Sequence, residues 1–558
     1  MSQKVVIIGG VAGGAGTAAR LRRNDENAEI IMFERGGYIS FANCGLPYYI
    51  GNTITERQSL LIQTPEAMKQ RFNIDIRIMS EVTKILPEEK CVEVEEKLTG
   101  RVYKESYDKL VISTGASPVI PPIEGIDGKD IYTLWTIPDT DKIKAIVDGK
   151  DIKKAAVIGG GFVGLEIAEN LADLGIEVSL IEMQDQVMAP LDRDMAQFVH
   201  MELNAKGVKL FLNEAATAIK DTENGKQIAL TSGKNVDVEL IILAVGIKPN
   251  SEIAKQCGIE CGPKGHIIVN EYLETNKEDI YALGDVIEVV DYVTGRKTAV
   301  PLAGPANKMG RIMGDNLCGL KVKYNGTQGT FVAKIFDVTA SGTGATEKTL
   351  KAMGKEPYKD YMVVYGHSNN HAGYYPGFSP LHTKLIFDPA DGKILGAQAV
   401  GQGGTEKRID VIATSIRFGG TIYDLTELEL AYAPPYNTAK DPMNFLGFAA
   451  ENILKDKVGL IQWHEMASLD LNKYQIIDTR RQDEFDLGTI PGSVLIPVDE
   501  IREKIDMVDK NRIPVVFCRG AVRSYIAARV LLQNGWDEVL SMAGGYLTWE
   551  AGVYEPKN

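Results

Sequence analysis

The sequence predicts an α/β protein of several domains, and the main observation behind this prediction is a repeated unit. Residues 4–35 and 153–183 each contain a short apolar strand, a Gly-rich turn, a helix and a second apolar strand. This βαβ order is typical of Rossmann-like domains with a parallel sheet. The pattern then changes, because residues 331–450 combine extended segments with an amphipathic helix, which predicts an α+β domain. After about residue 461, short strands alternate with helices, which predicts a small appended α/β domain.

Composition restricts the class of protein. The 558 residues are 44% hydrophobic and 24% charged, as in globular chains long enough for about three or four domains. The formal charge of −14 argues against nucleic acid or anionic membranes as partners, since a negative field repels polyanions. No apolar run approaches the roughly 18 residues of a membrane span, and no signal-peptide pattern opens the chain, so we expect a cytoplasmic protein. The six cysteines show neither a disulfide framework nor a zinc motif, so we expect free thiols and no metal.

The turn of the second βαβ unit carries a complete dinucleotide motif. Gly159, Gly161 and Gly164 form G-x-G-x-x-G between a strand and a helix, and Glu182 closes the next strand. Glycines let the backbone approach a pyrophosphate at a helix N-terminus, and the carboxylate can bind a ribose 2′-hydroxyl. Because a carboxylate repels a 2′-phosphate and no arginine follows Glu182 directly, NADH is favoured over NADPH, whose use stays open.

The first βαβ unit has a less regular turn. Gly9 and Gly14 occupy the outer motif positions, whereas Val11 stands where the middle glycine is expected. The matching acidic residue is Glu34, and a remote apolar strand ends in Asp285. The sequence therefore predicts a second dinucleotide site assembled from distant segments.

These segments resemble the two-dinucleotide flavoprotein disulfide reductases. The FAD domain of that family has an early Gly turn, a mid-chain Ser-Thr-Gly segment and a late apolar run ending in Gly-Asp, here residues 113–115 and 284–285. The resemblance implies FAD as a cofactor, with Asp285 on the ribityl chain and Glu166 near the nicotinamide. The implied cofactor-binding residues are Gly9, Gly14, Glu34, Arg35, Thr114, Gly115 and Asp285 for FAD, and Gly159, Gly161, Gly164, Glu166 and Glu182 for the nicotinamide dinucleotide.

The same resemblance sets the expected domain boundaries. It implies an FAD-binding domain in residues 1–115 and 250–330, an NAD(P)H-binding domain in 116–249 and a dimerisation domain in 331–450.

A single cysteine, Cys44, stands in the stretch SFANCGLPYY, residues 40–49. In this family the redox cysteine follows the second strand, where the flavin can reach it, and many members carry a pair of cysteines there. A lone cysteine must complete its cycle with an exogenous thiol, as a mixed disulfide, or with oxygen chemistry, as a sulfenic acid.

The longer stretch SFANCGLPYYIG resembles the coenzyme A disulfide reductases, and the resemblance covers residues 1 to about 450. CoA carries a 3′-phosphate and a pyrophosphate, and Arg20 and Arg23 share one face of a predicted helix from which they would bind these phosphates. The other substrate residues that the resemblance implies are Ser40, Asn43, Arg71, Asn307, Asn370 and Lys440.

The region 331–450 lacks the His-Glu proton-donor pair of the two-cysteine enzymes. In CoA disulfide reductases two tyrosines from the other subunit are implied near the substrate sulfur, and the matching segments here, HAGYYPG and LAYAPPY, contain Tyr374 and Tyr432. Their phenols would donate hydrogen bonds to the departing CoA thiolate. This assignment requires a homodimer.

Two other functions remain open at this point. Peroxidase and oxidase relatives also use one cysteine, through a sulfenic acid, but they typically place a histidine in the first Gly turn, and residues 9–16 contain none. A sulfide or redox sensor is the third hypothesis, which is disfavoured because both predicted nucleotide sites look intact and nothing in the chain resembles a DNA-binding or interaction module.

The C-terminal stretch IPVVFCRGAVRS resembles a rhodanese loop. Cys518 ends a strand at the start of a helix, and Arg523 follows after four intervening residues, a smaller cradle than in dual-specificity phosphatases. Thr489 replaces the histidine that is usual in rhodaneses. We expect a linker at residues 451–465 and a rhodanese domain at 466–558.

The combined interpretation is an NADH-dependent, FAD-containing reductase of CoA persulfide or CoA disulfide with a rhodanese domain that handles sulfane sulfur. The persulfide is the favoured natural substrate, because a fused rhodanese has little use in simple disulfide reduction.

Overall fold

The structure is a computed structural model that describes residues 3–556. These residues form two compact units, the first from residues 3–183 and 214–329 and the second from residues 184–213 and 330–556. Among the described residues, no helix is long and apolar enough to cross a membrane.

The core of the first unit is a five-stranded parallel sheet. Its central strand is Lys4–Ile8, in which Val5, Val6 and Ile7 are completely buried, as expected for a strand covered on both faces. The strands, in spatial order, are Ile280–Ala282, Lys109–Ile112, Lys4–Ile8, Glu29–Phe33 and Asp75–Arg77.

A second parallel sheet lies in the same unit and contains the other predicted βαβ repeat. It includes, in spatial order, Glu177–Glu182, Lys154–Ile158, Leu240–Leu243 and Ile131–Thr133. The antiparallel strands of the unit are Ser80–Leu86, Cys91–Glu96 and Arg101–Ser106; Ala216–Thr222, Gly225–Leu230 and Asn235–Val238; and the pairs Ala116–Pro118 with Ile247–Pro249 and Val289–Val290 with Lys297–Thr298. The helices are Ala12–Asn24, Leu46–Ile50, Pro65–Phe72, Ile137–Gly149, Phe162–Asp173, Glu252–Gln256 and Ala303–Leu317.

The second unit begins with the helix Arg193–Ala205 and the strand Lys209–Leu212 and continues into an antiparallel sheet. The predicted amphipathic helix is present as Thr405–Arg417, which buries Ile409, Ile412 and Ile416 on one face. The sheet has the spatial order Phe331–Ile335, Val338–Gly344, Ile394–Gly401, Pro380–Phe387 and Met362–Asn369, and the other helices are Glu347–Ala352, Ile422–Glu427 and Pro442–Leu454.

The C-terminal residues form a third parallel sheet within the second unit. Its strands, in spatial order, are Gly459–Ile461, Leu540–Met542, Ile513–Phe517, Tyr474–Asp478 and Val494–Leu495, and its helices are Gln482–Asp486, Val522–Gln533 and Gly545–Gly552. The segment expected to be a linker, residues 451–465, holds the end of helix Pro442–Leu454 and the strand Gly459–Ile461, which pairs with Leu540–Met542.

Burial of the imidazole ring lowers the pKa of three histidines in the second unit. The pKa of His200 falls to about 3, that of His382 to about 4, and that of His367 well below its ordinary value of 6.5. His200 Nε2 accepts a hydrogen bond from the Val187 amide at 3.1 Å, so protonation of this nitrogen would break the bond. His367 and His382 share a 2.7 Å contact between their Nδ1 atoms.

We expect the second unit to lose stability as the pH falls from about 6.5 to 4. In this window the unfolded chain binds protons on these imidazoles and the folded protein does not, so each histidine lowers the free energy of unfolding by about 1.4 kcal/mol per pH unit. Denaturant unfolding at several pH values measures the slope. His200→Gln should reduce the slope by about 1.4 kcal/mol per pH unit, which is the contribution of one histidine. An equal slope in wild type and His200→Gln would contradict the prediction.

Candidate functional site

Both Gly-rich turns of the first unit are built on the same steric pattern. Gly9 has φ +104° and Gly159 has φ +108°, which is a region that favours glycine. A Cβ on Gly9 would lie 2.2 Å from the carbonyl oxygen of Ser113, and one on Gly159 would lie 2.3 Å from that of Ala244. Glycine is therefore required at the first motif position in each turn.

The remaining motif glycines bring the helix against the turn and leave room beside it. A Cβ on Gly14 would lie 1.9 Å from the Gly9 oxygen, and one on Gly164 would lie 1.9 Å from the Gly159 oxygen. A Cβ on Gly161, by contrast, would meet no heavy atom within 4 Å, so this face of the turn is open. The helix Phe162–Asp173 starts directly after it. An open glycine face at a helix N-terminus fits a dinucleotide pyrophosphate.

The two predicted acidic residues are held at equivalent places by backbone amides. Glu34 accepts hydrogen bonds from the amides of Gly10 at 2.9 Å and Gly36 at 2.8 Å, and Glu182 accepts one from the amide of Gly160 at 2.7 Å. Each carboxylate thus lies next to its Gly turn, where a ribose hydroxyl of a bound dinucleotide would be placed.

The Ser-Thr-Gly segment is fixed by Asn250, which sequence reasoning missed. The Thr114 hydroxyl donates to the Asn250 carbonyl at 2.7 Å, and the Asn250 side-chain amide donates to the Thr114 carbonyl at 2.8 Å. The backbone N–H of Asn250 also donates to the Gly115 carbonyl at 2.9 Å. Arg35 donates to the Ser117 hydroxyl at 3.1 Å, so it lies next to the Ser-Thr-Gly segment. No residue near Asn250 in the sequence carries a recognisable motif.

Cys44 lies on the short turn Asn43–Gly45 that precedes the helix Leu46–Ile50, and its side chain is exposed. Ser40, with φ +42°, donates from its amide to the Gly10 carbonyl at 2.9 Å, which ties the cysteine segment to the first Gly turn. All six cysteines lie among the described residues and are free thiols.

Two carboxylates lie close to the Cys44 thiol. Although the residue is exposed to solvent, partial burial of its thiol is the largest cause that raises the pKa of Cys44, and the charges of Glu166 and Asp285 raise it further. Burial also raises the pKa of Glu166 to about 7 and that of Asp285 to about 6. Tyr48, on helix Leu46–Ile50, donates a hydrogen bond of 3.5 Å from its hydroxyl to Glu166 on helix Phe162–Asp173. A thiol beside groups that titrate near neutrality is typical of a reactive site.

Of the predicted CoA-binding arginines, Arg20 is engaged within the protein. It forms an ion pair of 2.6 Å with Asp315, on helix Ala303–Leu317. Arg23 is exposed, with its guanidinium 6.0 Å from the ring centroid of Phe72, next to the exposed Arg71. Arg23 and Arg71 thus place two positive charges at one edge of the first unit.

The other predicted substrate residues are distributed over both units. In the first unit Asn307 is exposed and donates to the Ala303 carbonyl at 2.9 Å, while Ser40 and Asn43 are half-buried beside Cys44. In the second unit Asn370 is half-buried and Lys440 is exposed.

Tyr374 and Tyr432 are brought together on the surface of the second unit. Their hydroxyl oxygens lie 2.8 Å apart, and the side chains are 76% and 47% exposed. The hydrogen bond to Tyr432 raises the pKa of Tyr374. Two exposed phenols in mutual contact are available to a partner surface or ligand.

Cys518 lies at the C-terminal end of strand Ile513–Phe517 and is 1% exposed. The Tyr546 amide donates to its carbonyl at 2.7 Å. Arg523, one residue inside helix Val522–Gln533, forms a two-point ion pair with Glu484 at 2.5 and 2.7 Å, and its guanidinium lies close to the Cys518 thiol. The Arg523 guanidinium lowers the pKa of Glu484 to about 2. Ala521, between them, adopts φ +79°, a strained conformation for a residue with a Cβ.

Thr489 takes part in a polar network beside this loop. Its hydroxyl donates to the buried Asp478 at 2.8 Å and contacts the Ser493 hydroxyl at 2.8 Å. Asp478 also pairs with the buried Arg480 at 2.7 Å. The threonine therefore binds a buried carboxylate in this network.

Three protein-family models match the chain. Residues 3–310 match the pyridine nucleotide-disulphide oxidoreductase family, residues 330–443 its dimerisation domain, and residues 465–552 the rhodanese-like domain. The first match alone covers more than half of the chain.

Similar proteins include one curated relative and two solved structures. Coenzyme A disulfide reductase of Staphylococcus haemolyticus is 37% identical over 452 residues, which is 81% of this chain and all of that protein. The crystal structure of reduced Bacillus anthracis CoADR-RHD is 47% identical, with a TM-score of 0.96, and covers 99% of this chain and 98% of that one. The NAD-dependent persulfide reductase from A. fulgidus is 37% identical, with a TM-score of 0.90, and covers 98% of this chain and 100% of that one.

Proposed function

The chain belongs to the pyridine nucleotide-disulphide oxidoreductase family, and from this premise we propose that it reduces CoA persulfide and CoA disulfide with NADH through the redox cysteine Cys44. It is a flavin-dependent enzyme of that family that uses FAD and NAD(H) and carries a C-terminal rhodanese domain. The single observation that carries the proposal is a free thiol at Cys44 beside Glu166 and Asp285, the residues assigned to the nicotinamide and flavin sites.

The two Gly turns, with Glu34 and Glu182, would hold FAD and NADH, and Asp285 would bind the flavin side chain. Bound FAD supplies a route for an electron pair from NADH to the sulfur of Cys44. Glu166 lies between the cysteine helix and the NADH turn, where its carboxyl exchanges a proton near pH 7.

The chemistry at Cys44 is thiol–disulfide exchange. Its thiolate attacks the CoA sulfur of a persulfide, which releases hydrosulfide, or one sulfur of CoA disulfide, which releases a CoA thiolate. Both routes leave the same mixed disulfide between Cys44 and CoA. Two electrons from NADH then break that bond and regenerate the Cys44 thiolate and a CoA thiolate.

The substrate side is completed by a second copy of the chain. In a homodimer Tyr374 and Tyr432 of one protomer reach the other protomer's Cys44, and their hydroxyls donate to the departing CoA thiolate. The exposure of the two phenols and the match of residues 330–443 to a dimerisation domain support this arrangement. Arg23 and Arg71 bind the CoA phosphates, while Arg20 orders the helix through Asp315.

In the rhodanese domain, the Cys518 thiolate attacks the outer sulfur of a sulfane donor such as thiosulfate, which breaks the donor's S–S bond, leaves a persulfide on Cys518 and releases sulfite. The loop places Cys518 before the N-terminus of helix Val522–Gln533, and the Arg523 guanidinium lies close to its thiol. Transfer of this sulfur to or from CoA links the domain to the reductase site.

Steady-state kinetics with the two CoA substrates tests which is natural. We expect kcat/KM for CoA persulfide to exceed that for CoA disulfide, measured as NADH consumption. A clear preference for the disulfide would overturn the persulfide assignment, and no NADH consumption with either substrate would overturn the proposed reductase.

Mass spectrometry of the purified, non-reduced protein tests the chemistry of Cys44. A CoA-sized adduct on the peptide that contains Cys44 is the expected result. A single added oxygen would instead indicate a sulfenic acid and the peroxidase or oxidase function.

Glu182→Ala should weaken the preference for NADH over NADPH. The carboxylate fixed by Gly160 opposes a 2′-phosphate, so its removal should raise the ratio of kcat/KM for NADPH to that for NADH about tenfold, or about 1.4 kcal/mol. Glu177→Ala, at the exposed start of the same strand, is the control and should leave the ratio unchanged. An unchanged ratio in Glu182→Ala would contradict the assignment.

Cys518→Ser should abolish sulfur transfer from thiosulfate to cyanide and leave NADH-dependent reduction of CoA disulfide intact. The serine hydroxyl cannot carry a persulfide, whereas the reductase chemistry takes place at Cys44. Thiocyanate formation measures the first activity and NADH consumption with CoA disulfide measures the second, both on the same preparation. Retained thiocyanate formation would show that another thiol carries the sulfur.

A further inference from the structure

A buried guanidinium lies beneath the surface that carries the two exposed tyrosines. Arg408, on helix Thr405–Arg417, is 2% exposed and donates to the carbonyls of Gly404 at 3.1 Å and Asn370 at 2.8 Å. The same guanidinium donates to the side-chain oxygen of Asn437 at 2.9 Å. It therefore joins its own helix to two loops that are far apart in the sequence.

Asn437 connects Arg408 to the loop that carries Tyr432. It is completely buried, and its side-chain amide donates to the Ala431 carbonyl at 3.1 Å, directly before Tyr432. The loop of Tyr374 is attached to the same point, because the Ala372 amide donates to the carbonyls of Asn437 at 3.0 Å and Pro434 at 3.3 Å.

The charge of Arg408 is balanced by Asp441. Arg408 Nε lies 3.3 Å from Asp441 Oδ2, and Asp441 is also 2% exposed. Asp441 caps helix Pro442–Leu454 by accepting from the Met443 amide at 2.8 Å, and it directly follows Lys440.

From these contacts we propose that Arg408 is a positioning residue for CoA reduction, which holds Tyr374 and Tyr432 together for the partner protomer's active site. This inference rests on the proposed function. The two phenols project from loops and are largely exposed, so their 2.8 Å separation depends on the backbone anchors. A planar guanidinium with several donors bonds the Asn370 carbonyl and the Asn437 side chain at once and keeps its charge 3.3 Å from Asp441. A lysine at this position would keep the charge but lose the bridge between the loops.

Two variants separate positioning from charge balance. Arg408→Lys keeps a cation beside Asp441, and R408M/D441N removes both charges while retaining a good helix-capping residue at position 441. The second variant leaves no unpaired charge, so it also protects against simple failure to fold. Retention of FAD and of the dimer by gel filtration establishes that each holoenzyme is intact.

The expected result is a loss of kcat with CoA disulfide of about 10- to 100-fold in both variants, because displaced phenols no longer meet the leaving thiolate. Flavin reduction by NADH, followed in a stopped-flow instrument without disulfide, should stay within about twofold of wild type. Tyr432→Phe should show a similar loss, and adding R408M/D441N to it should cause little further loss, since the residues act as a unit. Arg417→Met, on the last turn of the same helix, is the matched control and should behave as wild type.

Three results would overturn the inference. Wild-type turnover in Arg408→Lys or in R408M/D441N would show that charge balance alone matters, while a slow Tyr432→Phe would still support the proposed role of the tyrosines. Additive losses in the combined variant would assign Arg408 an independent structural role. Normal turnover in both Tyr374→Phe and Tyr432→Phe would show that neither phenol acts in CoA reduction, and the inference about Arg408 would fail with that assignment. Absence of any CoA disulfide reduction by the wild-type protein would instead overturn the proposed function itself.

Discussion

Replacing Cys44 with serine is expected to abolish NADH-dependent reduction of CoA persulfide and CoA disulfide, with a loss of about 10³-fold or more. Serine has almost the same shape, but its hydroxyl cannot form the mixed disulfide on which the cycle depends. Holoenzyme turnover, followed by NADH absorbance, measures the loss.

Reduction of the flavin by NADH separates this result from a general loss of structure. The dinucleotide turns and Glu34 and Glu182 do not depend on the thiol, so NADH should still bleach the flavin of Cys44→Ser at about the wild-type rate. Cys91→Ser, at a buried thiol on strand Cys91–Glu96, is the matched control and should keep turnover with CoA disulfide. Turnover that survives in Cys44→Ser would place the redox chemistry on another sulfur.

The dinucleotide turns were predictable because their requirements are local. The spacing of Gly159, Gly161 and Gly164 encodes one strand end, one turn and one helix start, and the carbonyl that excludes a side chain at Gly159 follows from the βαβ geometry itself. The first turn keeps this geometry at Gly9 and Gly14 although Val11 replaces the middle glycine.

The connections between distant segments could not be predicted in this way. Arg20 and Arg23 look alike on a helical projection, but only the fold brings Asp315 to Arg20, 295 positions away in the sequence. Asn250 and Arg408 belong to no motif, and each acts through backbone carbonyls, which every residue type possesses. A single sequence contains no signal for such pairs, because their chemistry is common and only their proximity is specific.

The second unit also contains a buried charge cluster without a sequence signal, and its removal should have the largest effect on stability. Lys384 is completely buried, and its ammonium lies 3.0 Å from Asp192, 2.9 Å from Asp194 and 2.7 Å from Glu347. Tyr365 donates a hydrogen bond to Asp194. The ammonium holds the pKa of Asp192 and Glu347 below their ordinary values, although burial alone would raise them.

Lys384→Met should therefore destabilise the second unit by about 3–5 kcal/mol, because it leaves several buried carboxylates without their cation. Denaturant unfolding at fixed protein concentration measures this loss. Lys351→Met is the matched control, since Lys351 pairs with the same Glu347 at 3.5 Å but is 51% exposed, and its loss should cost less than about 1 kcal/mol. Adding Asp194→Asn to Lys384→Met should restore part of the stability by removing one uncompensated charge. If the double variant were less stable than Lys384→Met, the cluster would be held by the hydrogen bonds of Asp194 rather than by charge balance.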